Sequence, residues 1–473
     1  MRQIILVSFI MLFAGCTVGP DYVRPHVDTP AAFRFSDADA TATANTAWWE
    51  QFQDPTLNAL IAEAIANNKN VAIAAANIEK AQGVLMQTRA PLFPQLSYTG
   101  NAARQRLSEL GATPLSPTLS NPQVSLQTTA NASWEIDLWG RIQRLSEAAR
   151  ANLLASQEAQ RGVILSLTAS VASSYIQLLA YDQQLQIARR TLAAYAESVK
   201  LFELQFAYGQ LSRMNVEQAR TQYETAAGMI PQIETQIGQT ENALSILLGK
   251  NPGPIARSRS IDDLMLPTVP AELPSSVLAN RPDIGEAEQN LIAANAQIGA
   301  ARALYFPTLS LTGDFGYASA DLSNLFNGPA HTWNYSGSIA GPIFKAGEVA
   351  GQVQQAEAGR KAALLKYESA IQSAFSDVEN ALIARRKITE QLTAQERLVK
   401  ASKEYAHLAQ IQYDGGYATY LTVLSAEQQL FPAELNQVQY HAQELNSYVT
   451  LYKAMGGGWK SAEAVATPAP PHE

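Results

Sequence analysis

The chain repeats itself once along its length, and this duplication limits its possible folds more than any other feature. The stretch TRAPLFPQLSYTG at 88–100 returns as ARALYFPTLSLTG at 301–313, 213 positions later. YGQLSRMNVEQA at 208–219 returns as GGYATYLTVLSAEQQ at 415–429, and SILLGK at 245–250 as YKAMGG at 452–457, both at an offset of 207. Three similarities in one order and at nearly one spacing mark two copies of one structural unit. Each copy reads as helix, strand, turn region, strand and then very long helical segments. The first repeat spans 48–260, with strands near 94–106 and 123–138; the second spans 261–459, with strands near 307–320 and 332–345. The expected class is therefore a mixed α/β fold.

The strands carry the membrane question. In 123–138, Val124, Leu126, Thr128, Ala130, Ala132, Trp134, Ile136 and Leu138 share one face, opposite Ser125, Gln127, Thr129, Asn131, Ser133, Glu135 and Asp137. Leu309, Leu311, Phe315 and Tyr317 alternate with Ser310, Thr312 and Asp314, while Trp333, Tyr335, Ile339 and Ile343 alternate with Asn334, Ser336 and Ser338. Leu96 and Tyr98 repeat the pattern more weakly against Ser97, Thr99 and Asn101. Alternation over about 10 residues suits a transmembrane strand, apolar to lipid and polar to a lumen. A soluble antiparallel sheet with one dry face produces the same pattern. Four strands cannot close a barrel, since about eight is the practical minimum. Two, three or four copies would give roughly eight, twelve or sixteen strands between them. Trp333 and Tyr335 are candidates for an interfacial aromatic girdle, or else for buried packing residues.

The helices carry the second argument. From about Leu138 to Ala207 there is no proline and little glycine. Within it Val171, Leu178, Leu185, Leu192 and Val199 recur every seven residues, interleaved with Tyr181, Ala188, Tyr195 and Phe202. That is a coiled-coil seam. A helix of this length would reach roughly 100 Å, and a second uninterrupted stretch runs from about Gly347 to Tyr413. Such lengths suit a rod or a tube wall.

Composition excludes other classes. Charged residues are only 16% of 473, the net charge is −8, and no basic run is present, so nucleic acid is not an expected partner. The five histidines, at 26, 331, 407, 441 and 472, form no HExxH; no GxSxG and no phosphate-cradling loop occur. No enzyme, cofactor or metal site is expected. The N-terminus reads as a secretory signal over 1–15, with an apolar run from Ile4 to Phe13, before Cys16, the sole cysteine. Beyond it no apolar run approaches the ~20 residues of a spanning helix. Ala14 and Gly15 before Cys16 resemble a bacterial lipobox, which implies a lipidated Cys16 opening an N-terminal extension over 16–47; Thr17 at the next place implies outer-membrane sorting. The alternative is a plain signal with an incidental cysteine. Residues 460–473 read as a disordered tail.

The duplicated strands and helices come with specific stretches: CTVGPDYVRP at 16–25, WWEQFQDPTLNALI at 48–61, SWEIDLWGRI at 133–142, LPSSVLANRPDIGEAEQNLIAANAQIGAARALYFPTLSL at 273–311 and LYKAMGGGW at 451–459. In these the chain resembles the outer-membrane factors of the TolC family, in their lipoprotein branch of NodT- or OprM-like proteins. The resemblance implies a homotrimer with one shared twelve-stranded barrel in the outer membrane and a helical periplasmic tunnel. It implies a periplasmic adaptor (membrane fusion) protein and an inner-membrane transporter as partners. It implies a passive gated duct of an RND-type pump exporting small toxic compounds or drugs; the alternatives are a type I protein secretion component or a lipid-anchored periplasmic coiled coil. The proline-rich 250–276 resembles the family's mid-tunnel belt. The family's gate lies in the turns 206–216 and 413–423. Tyr413 and Gly416 match its pattern, and Ala418, Thr422 and Ser425 stand where aspartate is frequent. Asp414, with Arg213 and Glu217 on the other turn, is the remaining charged candidate for the gate, unless it simply ends a helix beside Gly415–Gly416.

Overall fold

The computed structural model describes residues 17–30, 32–35, 47–110, 120–269 and 274–457. Cys16, the signal 1–15 and the tail 460–473 lie outside the described residues. The chain divides into two compact units, one of residues 1–26, 77–156 and 287–367, the other of 27–76, 157–286 and 368–473.

The element order displays the duplication. The first copy runs α1 (Pro55–Asn67), α2 (Lys69–Arg89), β1 (Gln95–Gln105), β2 (Gln123–Ile136), α3 (Arg141–Ala207) and α4 (Arg213–Leu247). The second runs α5 (Pro274–Asn280), α6 (Pro282–Ala303), β3 (Thr308–Ser319), β4 (His331–Ala340), α7 (Glu348–Asp414) and α8 (Tyr420–Ala454). The corresponding long helices match in length, 67 residues each for α3 and α7 and 35 each for α4 and α8. Against the expectation of no further spanning-length apolar run, an 18-residue window of α3 is apolar enough by length and composition to span a bilayer, but 61% of it is buried, as in the core helix of a packed unit.

Local chemistry sets the ends. Asp54 caps α1, its carboxylate accepting from the amides of Thr56 (2.7 Å) and Leu57 (3.3 Å), with Pro55 at the first helical position. Glycines at C′ stop the long helices. Gly209 and Gly416, and Gly249 and Gly456, are left-handed (φ +71°, +74°, +72° and +80°), and each pair lies 207 residues apart. Beyond each, the next amide reaches back across the last turn, as Gln210 N to Gln205 O (2.9 Å) and Tyr417 N to Gln412 O (2.8 Å) do.

In the first unit the four strands form one antiparallel meander in the order β1-β2-β3-β4. β4 stops at Ala340, short of 345, because Pro342 has no amide to give a ladder; Ile343 lies beyond the sheet. In the second unit the expected seam packs inward. Val171, Leu178 and Phe202 are wholly buried, and Leu185, Leu192 and Val199 are half-buried. The main core adds Trp48 and Phe52, from a 3₁₀ turn at Trp48–Phe52, with Trp48 stacked on Tyr452 (5.5 Å between centroids, 15° between planes). Burying each such aromatic is worth about 1.5–3 kcal/mol.

The turn glycines differ in surroundings, which separates two costs. Gly209 has open space where a Cβ would be, whereas at Gly249 a Cβ would sit 2.2 Å from the Asn67 carbonyl oxygen. Gly209→Ala should cost about 1–2 kcal/mol from left-handed strain alone. Gly249→Ala should cost more, because backbone must move; thermal unfolding followed by helix circular dichroism checks the order.

Candidate functional site

Cross-strand register places the side chains on two sharply different faces. Leu96, Ala132, Gly313 and Tyr335 lie side by side, as do Tyr98, Ala130, Phe315 and Trp333. The opposite face carries Ser97, Asn131, Asp314 and Asn334 in one row and Glu135, Ser310 and Ser338 in another. On the polar face side chains bond across strands: Thr99 to Thr129 (2.8 Å), Ser310 to Ser338 (2.7 Å) and Thr312 to Ser336 (2.9 Å). On the apolar face Leu96, Tyr98, Trp333, Tyr335 and Ile339 are exposed. Trp333 and Tyr335 stack (5.5 Å, 7°) at the third and fifth places of β4 rather than in a packed interior. β1 and β4 are the end strands of the sheet.

At one end of this sheet, the start of β1 and β3 and the finish of β2 and β4, aromatics gather. Phe93 is 64% exposed and Phe344 85%, with Tyr305 and Ile343 also exposed. Trp139 stacks on Phe306 at 4.6 Å and donates to the Pro307 carbonyl at 2.7 Å. The first described residue, Thr17, is fixed here. It packs on Gly140, where a Cβ would lie 2.7 Å from its methyl, and the Val18 amide donates to Trp139 O (3.0 Å).

From Thr17 the N-terminal segment is held by side chains that sequence reading did not single out. Gly19 meets Gly299 on α6 so closely that a Cβ would stand 2.4 Å from its Cα. Arg144 binds Asp21 (2.7 Å), Asn295 donates to Pro20 O (2.9 Å), and Arg24 pairs with Glu288 (2.9 Å). In the second unit Phe33 is buried against Phe375, and the Arg34 amide donates to Glu379 (2.8 Å). The paired glycines and the isolated charges at 21 and 24 were the available signal.

The two helix turns of the second unit share one apolar cluster, made of Phe202, Val216, Ala219, Ala409, Tyr420, Val423, Leu424 and Ala426. Tyr413 joins its edge, 5.5 Å from the Tyr420 ring, and Phe202 meets Tyr420 edge-on at 4.0 Å. Gly416 closes the turn, its amide donating to Tyr413 O (3.0 Å). Asp414 is exposed, the last residue of α7, and accepts from Gln410 (2.8 Å). Arg213 turns to Glu217 on its own helix (3.5 Å), both solvated. Ala418, Thr422 and Ser425 are half-buried. The charged candidates thus face water within their own turns, while the tyrosines are brought together.

One acidic group here escaped sequence reading. Glu427 on α8 holds Oε2 buried with no hydrogen-bond partner. Burial pushes its carboxyl from 4.5 up to about 7. Burial likewise raises the phenol of Tyr420 to about 12, and that of Tyr195 further, with Glu427 adding to both.

Comparison with known proteins agrees with this geometry. The family described as Outer membrane efflux protein matches residues 60–250 and 273–457, once per repeat. The chain is 38% identical over 463 residues to the solvent efflux pump outer membrane protein SrpC of Pseudomonas putida, covering 96% of this chain and 98% of that one. It is 37% identical over 455 residues to the cation efflux system protein CusC of Escherichia coli K12, covering 95% and 97%. Among solved structures it is similar to the open state of the Neisseria gonorrhoeae MtrE outer membrane channel, with TM-score 0.85 and 32% identity over 94% of this chain and 99% of that one. A CusC crystal structure gives TM-score 0.84 and 35% identity over 94% and 100%.

Glu427 predicts a pH response of the turn cluster. Its carboxyl binds its proton more tightly when packed than when unfolded, so its contribution to stability is full below pH 4.5 and is lost as pH rises to about 7. Hydrogen exchange of 420–431 should accelerate from pH 5 to 8 beyond the intrinsic rate. Glu427→Gln should flatten that excess.

Proposed function

Because the chain belongs to the outer membrane efflux protein family, we propose that it is the passive, gated outer-membrane duct of a tripartite pump and acts as a homotrimer. The observation that carries this reading is the open four-stranded sheet with one exposed apolar face. Lipid offers no hydrogen bonds, so the free backbone of β1 and β4 cannot end in a bilayer. An even number of antiparallel strands makes β1 and β4 run in opposite directions. The β4 edge of one copy can therefore continue an antiparallel ladder with the β1 edge of the next, around a closed ring. Three copies make twelve strands, with the row of Ser, Thr and Asn side chains lining a wet lumen.

The long helices then line the periplasmic path, and the turns at 208–212 and 415–419 form its gate, where Tyr413, Gly416 and Tyr420 pack the turns together. A periplasmic adaptor and an inner-membrane transporter complete the pump, and the transporter supplies the energy. Cys16 anchors the chain through lipid. Its neighbour Thr17 sits at the aromatic-rich strand ends, which supports acyl insertion at the inner rim of the barrel. Relatives are named for solvents, antibiotics and cations, so small toxic compounds are the proposed load and the pump selects among them.

Deleting the gene should increase sensitivity to solvents, antibiotics or metal cations at least several-fold. Loss of one secreted polypeptide with unchanged sensitivity would overturn the efflux reading. Cys16→Ser should abolish incorporation of labelled palmitate while leaving a trimer that dissociates at the same temperature in detergent.

A further inference from the structure

Of the four long helices, α3 and α7 contain no proline, whereas α4 carries Pro231 and α8 carries Pro432 in their interiors. A proline has no amide to give and crowds the carbonyl four residues earlier, so each of these two helices is weakened at one place. Two apolar clusters lie along these helices: one around Phe202, Val216 and Tyr420 near the turns, the other the core around Leu178, Ile187, Leu244 and Val438, on which Phe431 also packs.

On α3, between Ile187 of the core and Phe202 of the turn cluster, two arginines occupy consecutive positions. Neighbouring residues on a helix point about 100° apart, so Arg189 and Arg190 reach different helices. Arg189 binds Glu234, three residues past Pro231, at 2.7 Å. Arg190 binds Glu434, two residues past Pro432, at 2.7 Å. Lys403 from α7 takes the other oxygen of Glu434 at 3.0 Å, and the Glu434 side chain is 9% exposed. Two amides secure the same turn of α8: Gln395 donates to Ala433 O (2.8 Å) and Gln184 to Leu435 O (3.2 Å). α8 is thus pinned just beyond its weak point by a largely buried carboxylate, whereas α4 is tied there by a solvated pair.

We propose that Pro231 and Pro432 form a single joint about which the tip segments 213–230 and 420–431 move. Glu434 is a positioning residue that holds α8 past the joint to both α3 and α7. This rests on the reading of the chain as a duct gated at those turns. Removing the Glu434 charge lets displacement spread beyond the prolines and loosens the closed tip. Stiffening both helices with alanine holds the tip shut.

The test uses the full-length trimer in planar bilayers. Glu434→Gln should raise the open probability at least ~fivefold, the Arg190→Ala/Lys403→Ala double variant should do likewise, and Glu434→Asp should return toward wild type. Pro231→Ala/Pro432→Ala should lower it. Spin labels at Tyr208 and Tyr417, both exposed at the turns, should show a distance distribution that narrows in the proline variant. A label pair past the joint should broaden only when the Glu434 charge is lost. A wild-type channel that gates normally while all these variants gate as it does overturns the joint. A wild-type trimer with no conductance overturns the duct reading instead, and the label distances then judge the joint alone.

Discussion

Backbone amides and carbonyls that cannot be left bare in hydrocarbon govern this molecule. β1 and β4 end the sheet, and in a bilayer their outer hydrogen-bonding groups have no solvent to turn to. In the proposed assembly each edge is satisfied by the neighbouring copy, so membrane insertion and oligomerisation are one event. The duplication serves this requirement, because two hairpins built alike supply an even number of strands whose first and last members run oppositely. The polar rows through Thr99, Thr129, Ser310 and Ser338 bond across strands and keep the sheet cohesive on a face that would meet water. Little is left for the apolar face except contact with lipid.

The helices solve a different problem. A helix of 67 residues cannot be stabilised by propensity and must be packed along its length. The seam of Val171, Leu178 and Phe202 provides that packing in the second unit, and left-handed glycines at the ends let the chain reverse without losing carbonyl partners. Polar groups are also set into this packing. Glu427 holds Oε2 buried without a partner beside the turn cluster, and Glu434, itself largely buried, binds both Arg190 and Lys403. In the proposed gate, apolar packing holds the turns together, while buried charge and proline set where the helices bend.

The alternation of apolar and polar residues along 123–138, the seven-residue spacing from Val171 to Phe202, and the repeat at offsets of 207 and 213 were sufficient to determine strands, coiled-coil helices and a doubled architecture. Each depends on periodicity, which is written in order along the chain. The turn glycines were legible for the same reason, since their partners lie within a few residues. What tertiary structure alone decided depends on residues far apart in sequence. Nothing near Thr17 in the chain announces that it packs on Gly140, or that Gly19 meets Gly299. Arg190 and Glu434 are 244 positions apart, and the burial that raises Glu427 comes from packing that no local pattern encodes. Periodicity states which face of an element is apolar; only the folded chain states which charged side chains are trapped between those faces, because desolvation is a property of the surroundings and not of the residue.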